Sequence, residues 1–196
     1  MARLTRTMEE IMRLETRIAR LSSVAAVVFG LSLAAGGIAR ADGGGGGGGS
    51  DPSQCPQGEV YDGRTMSCIK KQAGALPDKE MAEWAIGLAK AGRYQEAIET
   101  LDLLKNPKTA VALNYRGYAT RKMGKTDEGI RYYLQSVKLD PHYAQVREYL
   151  GEAYVIKGQM AKAKEQLRII KTICGGAECE EYEDLEKAIA GKSDEG

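Results

Sequence analysis

The sequence has few of the side chains that carry out catalysis. Its single histidine, His142, directly follows a proline at a predicted helix start, where an exposed turn residue is expected. There is no second histidine, no nucleophile elbow and no phosphate-binding loop, so acid–base, nucleophilic and nucleotide chemistry have little support. Carboxylate pairs one helical turn apart, such as Glu148 and Glu152, are typical of solvated helix faces. We therefore expect a protein that is not an enzyme, with no catalytic residues and no cofactor.

The chain also lacks an excess of charge of either sign. Its 28 basic and 27 acidic residues give a formal net charge of +1, so nothing points to nucleic acid or an acidic membrane surface as a partner. The basic residues are unevenly placed, however, because residues 1–41 hold six arginines and only three glutamates. A basic leader before a nearly neutral body indicates an export signal rather than a nucleic-acid-binding arm.

Residues 1–41 have the pattern of a cleaved signal peptide. Three arginines within residues 13–20 precede an apolar run at 21–38, and a small-x-small cleavage motif ends at Ala41. We predict cleavage after Ala41 and a periplasmic protein; an uncleaved inner-membrane anchor is the alternative, since the apolar run is about long enough to span a bilayer. No cysteine lies near the cleavage site, and there is no Arg-Arg pair, so neither a lipid anchor nor twin-arginine export is expected. Translation from Met12 would give a leader of conventional length.

Two short segments separate the leader from the rest of the chain. Residues 42–54 include seven consecutive glycines, which lose the most backbone entropy on ordering, so a flexible linker is predicted. Residues 55–70 form a unit bounded by cysteines, and its Asp62-Gly63 pair is a strong signal for a hairpin turn. The two strands of this hairpin are predicted at Val60-Tyr61 and at Thr65-Met66-Ser67.

Only four cysteines are present, and a secretory leader makes disulfides the default for them. We predict the pairs Cys55–Cys68 and Cys174–Cys179, because each pair is local and brackets a turn. A four-cysteine zinc site is the alternative, although the spacings suit it poorly, and no metal is expected. The sequence has no Cys-x-x-Cys motif, so redox catalysis is not expected.

A helix-pair module occurs three times along the chain. Gly92, Gly124 and Gly158 lie 32 and then 34 residues apart, and each is followed by a helical run. Repetition at this period indicates a stack of helix pairs. We predict repeats at 78–109, 110–143 and 144–174, a capping helix at 175–190 and a disordered tail at 191–196. Asp78 is predicted to cap the first helix, and Gly117 and Gly151 are predicted where two helices touch.

The residues of these modules resemble the tetratricopeptide repeat family. The second module carries the fullest motif, and the first departs from it, since Ala85 stands at its helix-contact site and the module is two residues short. The resemblance implies an all-α, helix-turn-helix repeat superhelix of three repeats, with a C-terminal capping helix and the small Cys-bounded hairpin at the N-terminus. The matching residues of the second module are Leu113-x3-Gly117, Gly124-Lys125, Gly129, Tyr133 and Leu139-Asp140-Pro141.

The resemblance also implies a concave groove, lined by the first helix of each repeat, that holds a peptide or a partner helix. Tyr118 with Asn114 is the strongest predicted binding pair, as an exposed tyrosine beside an amide; the alternative is that these residues only form solvated faces. Family members that bind chaperone tails use a carboxylate clamp of Lys, Asn and Arg, which is absent here. The residues predicted to line the groove are Val111, Asn114, Tyr118, Arg121, Gln145, Glu148 and Glu152.

These observations predict an exported adaptor or scaffold that binds a protein or peptide partner in the cell envelope. Neither a nucleic acid nor a small-molecule substrate is expected as a partner. The alternative is a structural module that self-associates without a peptide ligand. Nine of the ten tyrosines lie at or after Tyr94, and repeat stacks can dimerise through uncapped ends, so a homo-oligomer is possible under this alternative.

Overall fold

The computed structural model describes Asp51 and residues 54–191. The predicted signal peptide, most of the predicted linker and residues 192–196 lie outside the described residues. Within the described part, no helix combines the length and the apolar character needed to cross a membrane. The elements of this part are β1 Glu59–Asp62, β2 Ser67–Lys70, α1 Asp78–Lys90, α2 Tyr94–Asp102, α3 Ala110–Lys122, α4 Thr126–Leu139, α5 Ala144–Ile156, α6 Met160–Cys174 and α7 Glu180–Ile189.

The hairpin forms as predicted, but its second strand begins later. β1 and β2 pair antiparallel with Asp62 opposite Ser67, so the expectation that Thr65 and Met66 belong to the second strand is wrong. Asp62 ends β1, and its carboxylate accepts hydrogen bonds from the Arg64 backbone N–H at 2.9 Å and from Arg64 Nε at 3.1 Å. These bonds stabilise a four-residue connection in place of a tight two-residue turn.

Both predicted disulfides are present. Cys55 and Cys68 are joined across the hairpin with a Cα–Cα distance of 5.7 Å. Cys174 and Cys179 are joined with a Cα–Cα distance of 6.3 Å, and they link the last residue of α6 to the residue before α7. All four sulfur atoms are therefore in disulfides, which overturns the four-cysteine zinc alternative, because zinc binds thiolates.

Each helix pair turns at a glycine in the left-handed region. The φ angles of Gly92, Gly124 and Gly158 are 80°, 83° and 67°, which a residue with a β-carbon adopts only with strain. After each glycine, the next backbone N–H reaches back to a carbonyl five residues earlier and closes the end of the first helix. These bonds are Arg93 N to Leu88 O at 2.9 Å, Lys125 N to Thr120 O at 3.2 Å and Gln159 N to Tyr154 O at 2.8 Å.

The core is continuous from the hairpin into the first two helix pairs. Val60 of β1 is fully buried in the same cluster as Trp84 of α1 and Leu101 of α2. A second cluster lies between the later helices and is built around Tyr133, Tyr149 and their neighbours. The hairpin is therefore part of the hydrophobic core and covers the first repeat.

A buried glutamate fixes the hairpin to the first repeat. Glu96 of α2 accepts a hydrogen bond from Gly58 N–H at 3.3 Å and forms an ion pair with Lys71 Nζ at 3.3 Å. Arg93 completes the set, with its Nε 2.9 Å from the carboxylate. Burial alone would raise the pKa of Glu96, but these three partners hold it below its usual value.

Asp78 has a different role from the predicted one. It is the first residue of α1, but Pro77 precedes it and no side chain caps this helix. The Asp78 carboxylate instead accepts the backbone N–H groups of Lys105 at 3.0 Å and Asn106 at 2.8 Å. It therefore ties the start of α1 to the connection between α2 and α3.

At the far end of the stack, α7 covers the last repeat. It packs against α5 and α6, and its Leu185 is fully buried. A β-carbon placed on Gly151 of α5 would meet the Leu185 side chain too closely. The predicted all-α repeat fold with a capping helix and a small Cys-bounded hairpin is therefore confirmed.

Replacing Gly117 by alanine should destabilise the fold. A β-carbon there would lie 2.5 Å from Cε1 of Tyr133, whose ring is fully buried. Overpacking of this kind costs about 1–3 kcal/mol. We expect Gly117→Ala to lower the urea midpoint followed by circular dichroism, whereas Gly63→Ala, where nothing lies within 4 Å, should leave it nearly unchanged. Equal midpoints for the two variants would contradict the close contact.

Candidate peptide-binding groove

The first helices of the three repeats lie side by side. α1 contacts α3, and α3 contacts α5, while each second helix packs between neighbouring first helices. α7 contacts α5 at the position where the first helix of a further repeat would lie. The first helices and α7 therefore form one row, and the predicted groove residues lie on α3 and α5 of that row.

At the middle of this row, three of the predicted residues meet. Arg121 Nη2 lies 2.6 Å from Glu152 Oε2, so α3 and α5 are joined by an ion pair. The Arg121 guanidinium lies 5.6 Å from the ring centre of Tyr118 and 5.9 Å from that of Tyr149. Its Nε donates to Tyr133 Oη at 3.2 Å. We call these five residues the central cluster.

The arginine of the central cluster stays charged although it is buried. Burial opposes its charge, but Tyr133 and Glu152 outweigh this effect and hold the pKa of Arg121 above its usual value. The rings of Tyr118 and Tyr149 are 5.1 Å apart and tilted by 46°, a geometry typical of favourable aromatic pairs. The cluster is therefore a set of aromatic and charged groups in mutual contact.

Asn114 is not exposed, contrary to the expectation. It has 0% of its surface accessible, because α5 and the residue before it pack over α3. Its Nδ2 donates to Tyr143 Oη and to Gln145 Oε1, both at 3.1 Å, and Tyr143 Oη donates to Gln145 at 2.8 Å. The Oδ1 of Asn114 has no hydrogen-bond partner. This amide holds two repeats together and leaves one buried acceptor unused.

The other predicted groove residues differ in how accessible they are. Val111 is 40% exposed, and Tyr118, Gln145 and Glu152 are half-buried. Tyr149 was not among the residues predicted to line the groove, although it lies 34 residues after Tyr115 at the same helix position. That recurrence at the repeat period was the signal that could have identified it.

Glu148 is the one groove residue whose charge is not matched. It is 7% exposed, and no hydrogen bond or ion pair reaches its carboxyl group from the residues described. Burial, followed by the nearby carboxylates of Glu152, Asp184, Glu181 and Glu180, raises the pKa of Glu148 to about 9. The carboxyl group is therefore protonated at neutral pH. Three of these four neighbours belong to α7.

No protein-family model matches the chain. Among curated proteins, the TPR repeat-containing thioredoxin TTL4 of Arabidopsis thaliana is 25% identical over 131 residues, which are 65% of this chain and 18% of TTL4. The inactive TPR repeat-containing thioredoxin TTL3 of the same organism is 22% identical over 111 residues, which are 56% of this chain and 15% of TTL3. The chain thus spans less than a fifth of the length of these curated relatives.

Among solved structures, the type III secretion translocator chaperone SycD of Yersinia enterocolitica is similar with a TM-score of 0.49 and 18% identity, over 59% of this chain and 87% of SycD.

The helix pairs, their glycine turns and the repeat-containing curated relatives all indicate the same kind of repeat. The helical part of this chain is built from tetratricopeptide repeats. The family resemblance seen in the sequence is thereby confirmed.

One surface depression in the described part of the chain does not coincide with the predicted groove of the tetratricopeptide repeats. It has a volume of about 600 Å³ and lies between the hairpin, the turn of the first repeat and the end of α3. It contains none of the predicted groove residues. Its lining residues are Gln57, Gly92, Arg93, Tyr94, Gln95, Glu96 and Met123.

Among the described residues, one group of potential metal ligands converges, namely Cys174, Cys179 and Glu181. Both of its sulfur atoms are in a disulfide, so they are not available as thiolate ligands. His142 is exposed, and its backbone N–H donates to Asp140 Oδ1 at 3.0 Å, which is a turn contact. Neither arrangement provides a metal centre or a catalytic base.

Stability should fall as the pH rises from about 5.5 to 9. The folded Glu148 keeps its proton up to a pKa of about 9, whereas the unfolded residue loses it near the ordinary glutamate value. The folded state therefore binds more protons in this window, and the free energy of unfolding falls by up to about 1.4 kcal/mol per pH unit.

The measurement is urea unfolding across this pH window for three proteins. Glu148→Gln should flatten the pH dependence and raise stability at pH 8, because it removes the buried ionisable group. Glu178→Gln, at an exposed position between α6 and α7, should follow the unmodified protein. A Glu148→Gln profile as steep as that of the unmodified protein would show that Glu148 does not titrate in this range.

Proposed function

We propose that this protein is an exported tetratricopeptide-repeat adaptor that binds a protein or peptide partner along the row of first helices. The observation that supports this function is the central cluster, where Tyr118 and Arg121 of the second repeat meet Tyr149 and Glu152 of the third. Tyrosine and arginine are the residue types enriched at binding hot spots. Tyr118 and Glu152 remain partly accessible to a partner.

We further propose that the protein acts by binding and not by catalysis. The charged groups of the central cluster are paired with one another or with tyrosines, which leaves no free nucleophile with an adjacent base in the cluster. A near-zero net charge favours a protein or peptide partner over a nucleic acid. No small-molecule substrate is proposed.

The cell envelope is the proposed location. The leader at residues 1–41 supports export, and the alternative of an inner-membrane anchor rests on the same residues. Two disulfides are consistent with an oxidising compartment such as the periplasm. N-terminal sequencing of the protein recovered from a periplasmic fraction tests both points, and a product that still begins before Ala41 would contradict cleavage there.

Truncation of Tyr118 should remove partners that depend on the groove. We expect Tyr118→Ala, immobilised and exposed to envelope extract, to retain such a partner about 5–30-fold more weakly than the unmodified protein, because losing a hot-spot side chain costs about 1–2 kcal/mol. The matched control is Tyr132→Ala on α4, a half-buried tyrosine stacked on Arg116. Captured proteins are quantified by mass spectrometry and their binding is repeated with the purified candidate. Equal recovery by both variants would place binding elsewhere.

Self-association is the alternative function, and exposed apolar side chains favour it. Leu139 at the end of α4 is 56% exposed and Ile156 at the end of α5 is 59% exposed. Light scattering after size exclusion separates the two functions. A stable dimer that captures no envelope protein would support self-association, and a monomer would rule it out at the concentration used.

A further inference from the structure

One end of the row of first helices is strongly acidic. Glu152 of α5 and Glu180, Glu181 and Asp184 of α7 all lie near Glu148 of α5, and we call these five residues the acidic end. Two cations lie among them, and both are engaged: Arg121 pairs with Glu152 at 2.6 Å, and Lys187 pairs with Asp184 at 3.1 Å. Among the described residues, no ion pair joins a cation to the other three carboxyl groups.

Glu148 lies at the centre of this surface and is more than nine-tenths buried. A buried carboxyl group without a partner is costly when it is ionised, and burial beside four other carboxylates raises the pKa of Glu148. Asn114, whose buried Oδ1 has no hydrogen-bond partner, occupies the corresponding position of the preceding repeat. Once ionised, the Glu148 carboxylate only accepts hydrogen bonds, so it calls for a partner that brings donors.

The spacing of the carboxylates favours an extended cation over a metal ion. Among the described residues, no three of these five carboxylates bring their oxygen atoms within 4.8 Å of one another. A divalent ion needs several oxygen ligands at much shorter range. An arginine guanidinium has five donors in a planar fork and can bridge two separated carboxylates.

The helix that carries three of these carboxylates, α7, is held in place at two points. α7 is fixed by the Cys174–Cys179 disulfide at its start and by Leu185, which is buried against Gly151. A preformed set of carboxylates loses little conformational entropy when a partner binds. The acidic surface is therefore a persistent feature of the last repeat and its cap.

We propose that the acidic end binds a basic segment of the partner, with an arginine side chain that approaches from the solvent-facing edge of the contact between α5 and α7 to pair with Glu148. This assignment rests on the proposed function, since it names the chemistry of the partner at one end of the same row of helices. The arginine would supply the cation that Glu148 lacks, and its flanking basic residues would face Glu180 and Glu181.

Binding of this kind is linked to pH. Glu148 must lose its proton to form the ion pair, so the arginine lowers the pKa of Glu148 and affinity rises as the pH approaches 9. The carboxylates of Glu152, Glu180, Glu181 and Asp184 also lie near Glu148, but Glu148 is the group that pairs with the arginine. The pH dependence should therefore disappear when Glu148 alone is made neutral.

The test uses the purified protein and a fluorescent ten-residue peptide in which leucine and arginine alternate. Its counterpart carries citrulline, a neutral analogue of similar shape, at each arginine position. Fluorescence polarisation at fixed salt should show at least tenfold weaker binding of the citrulline peptide. Glu148→Gln should weaken binding of the arginine peptide about tenfold and abolish the rise in affinity between pH 6.5 and 9.

Controls separate this site from general attraction between charges. Glu178→Gln removes the same charge near α7 but outside the acidic end, and it should leave the affinity within twofold. The paired variant Glu181→Gln plus Asp184→Asn tests the flanking carboxylates and should weaken binding as well. Unfolding midpoints of all variants confirm that each is folded under the conditions of the measurement.

Several results would overturn the inference. These are equal binding of the arginine and citrulline peptides, no binding of either peptide, or a Glu148→Gln variant within twofold of the unmodified protein. Stabilisation by calcium ions that requires Glu148 would identify a metal site instead. Each of these leaves the proposed function open to its own test, because the Tyr118→Ala capture experiment leaves Glu148 and α7 unchanged.

Discussion

The first and last helix pairs of a repeat stack each have one face without a neighbouring repeat, and those two apolar faces must be covered. Three repeats bury little surface compared with long arrays, so the covers matter more here. The hairpin covers one face by placing Val60 in the cluster of Trp84. α7 covers the other by burying Leu185 against Gly151. Each cover carries its own disulfide, which restricts the unfolded chain and keeps the cover close to the stack.

Polar contacts then fix the position of each element. The Glu96 carboxylate accepts hydrogen bonds from Gly58 N–H and Arg93 Nε and forms an ion pair with Lys71. These contacts fix the hairpin in one orientation. Between the second and third repeats, Asn114 and Arg121 make the equivalent connections to the next helix pair. Hydrophobic burial is not directional, whereas these bonds have defined geometry. The relation between successive repeats therefore depends on a few buried polar groups as well as on apolar packing.

Features determined by local sequence could be predicted, and features determined by distant residues could not. The glycine turns, the helix pairs and both disulfides follow from residues close together in the chain, and all were predicted. Asp78 pairs with backbone groups 27 and 28 residues away, so its sequence context suggested a helix cap instead. Asn114 was expected at the surface, because the pattern of one helix does not show that Gln145, 31 residues later, packs over it.

The burial of Glu148 shows that negative charges that stabilise the start of one helix can be unfavourable for a residue of the neighbouring helix. Glu180, Glu181 and Glu183 occupy the first turn of α7, where negative charge is favourable by about 0.3–1 kcal/mol per residue. When α7 takes the place of a fourth first helix, two of these same residues face Glu148 and oppose its ionisation. Moving the charges off α7 would relieve Glu148 but weaken the cap. Supplying a cation from outside would satisfy both elements, since it leaves the helix start unchanged and pairs the buried carboxyl group.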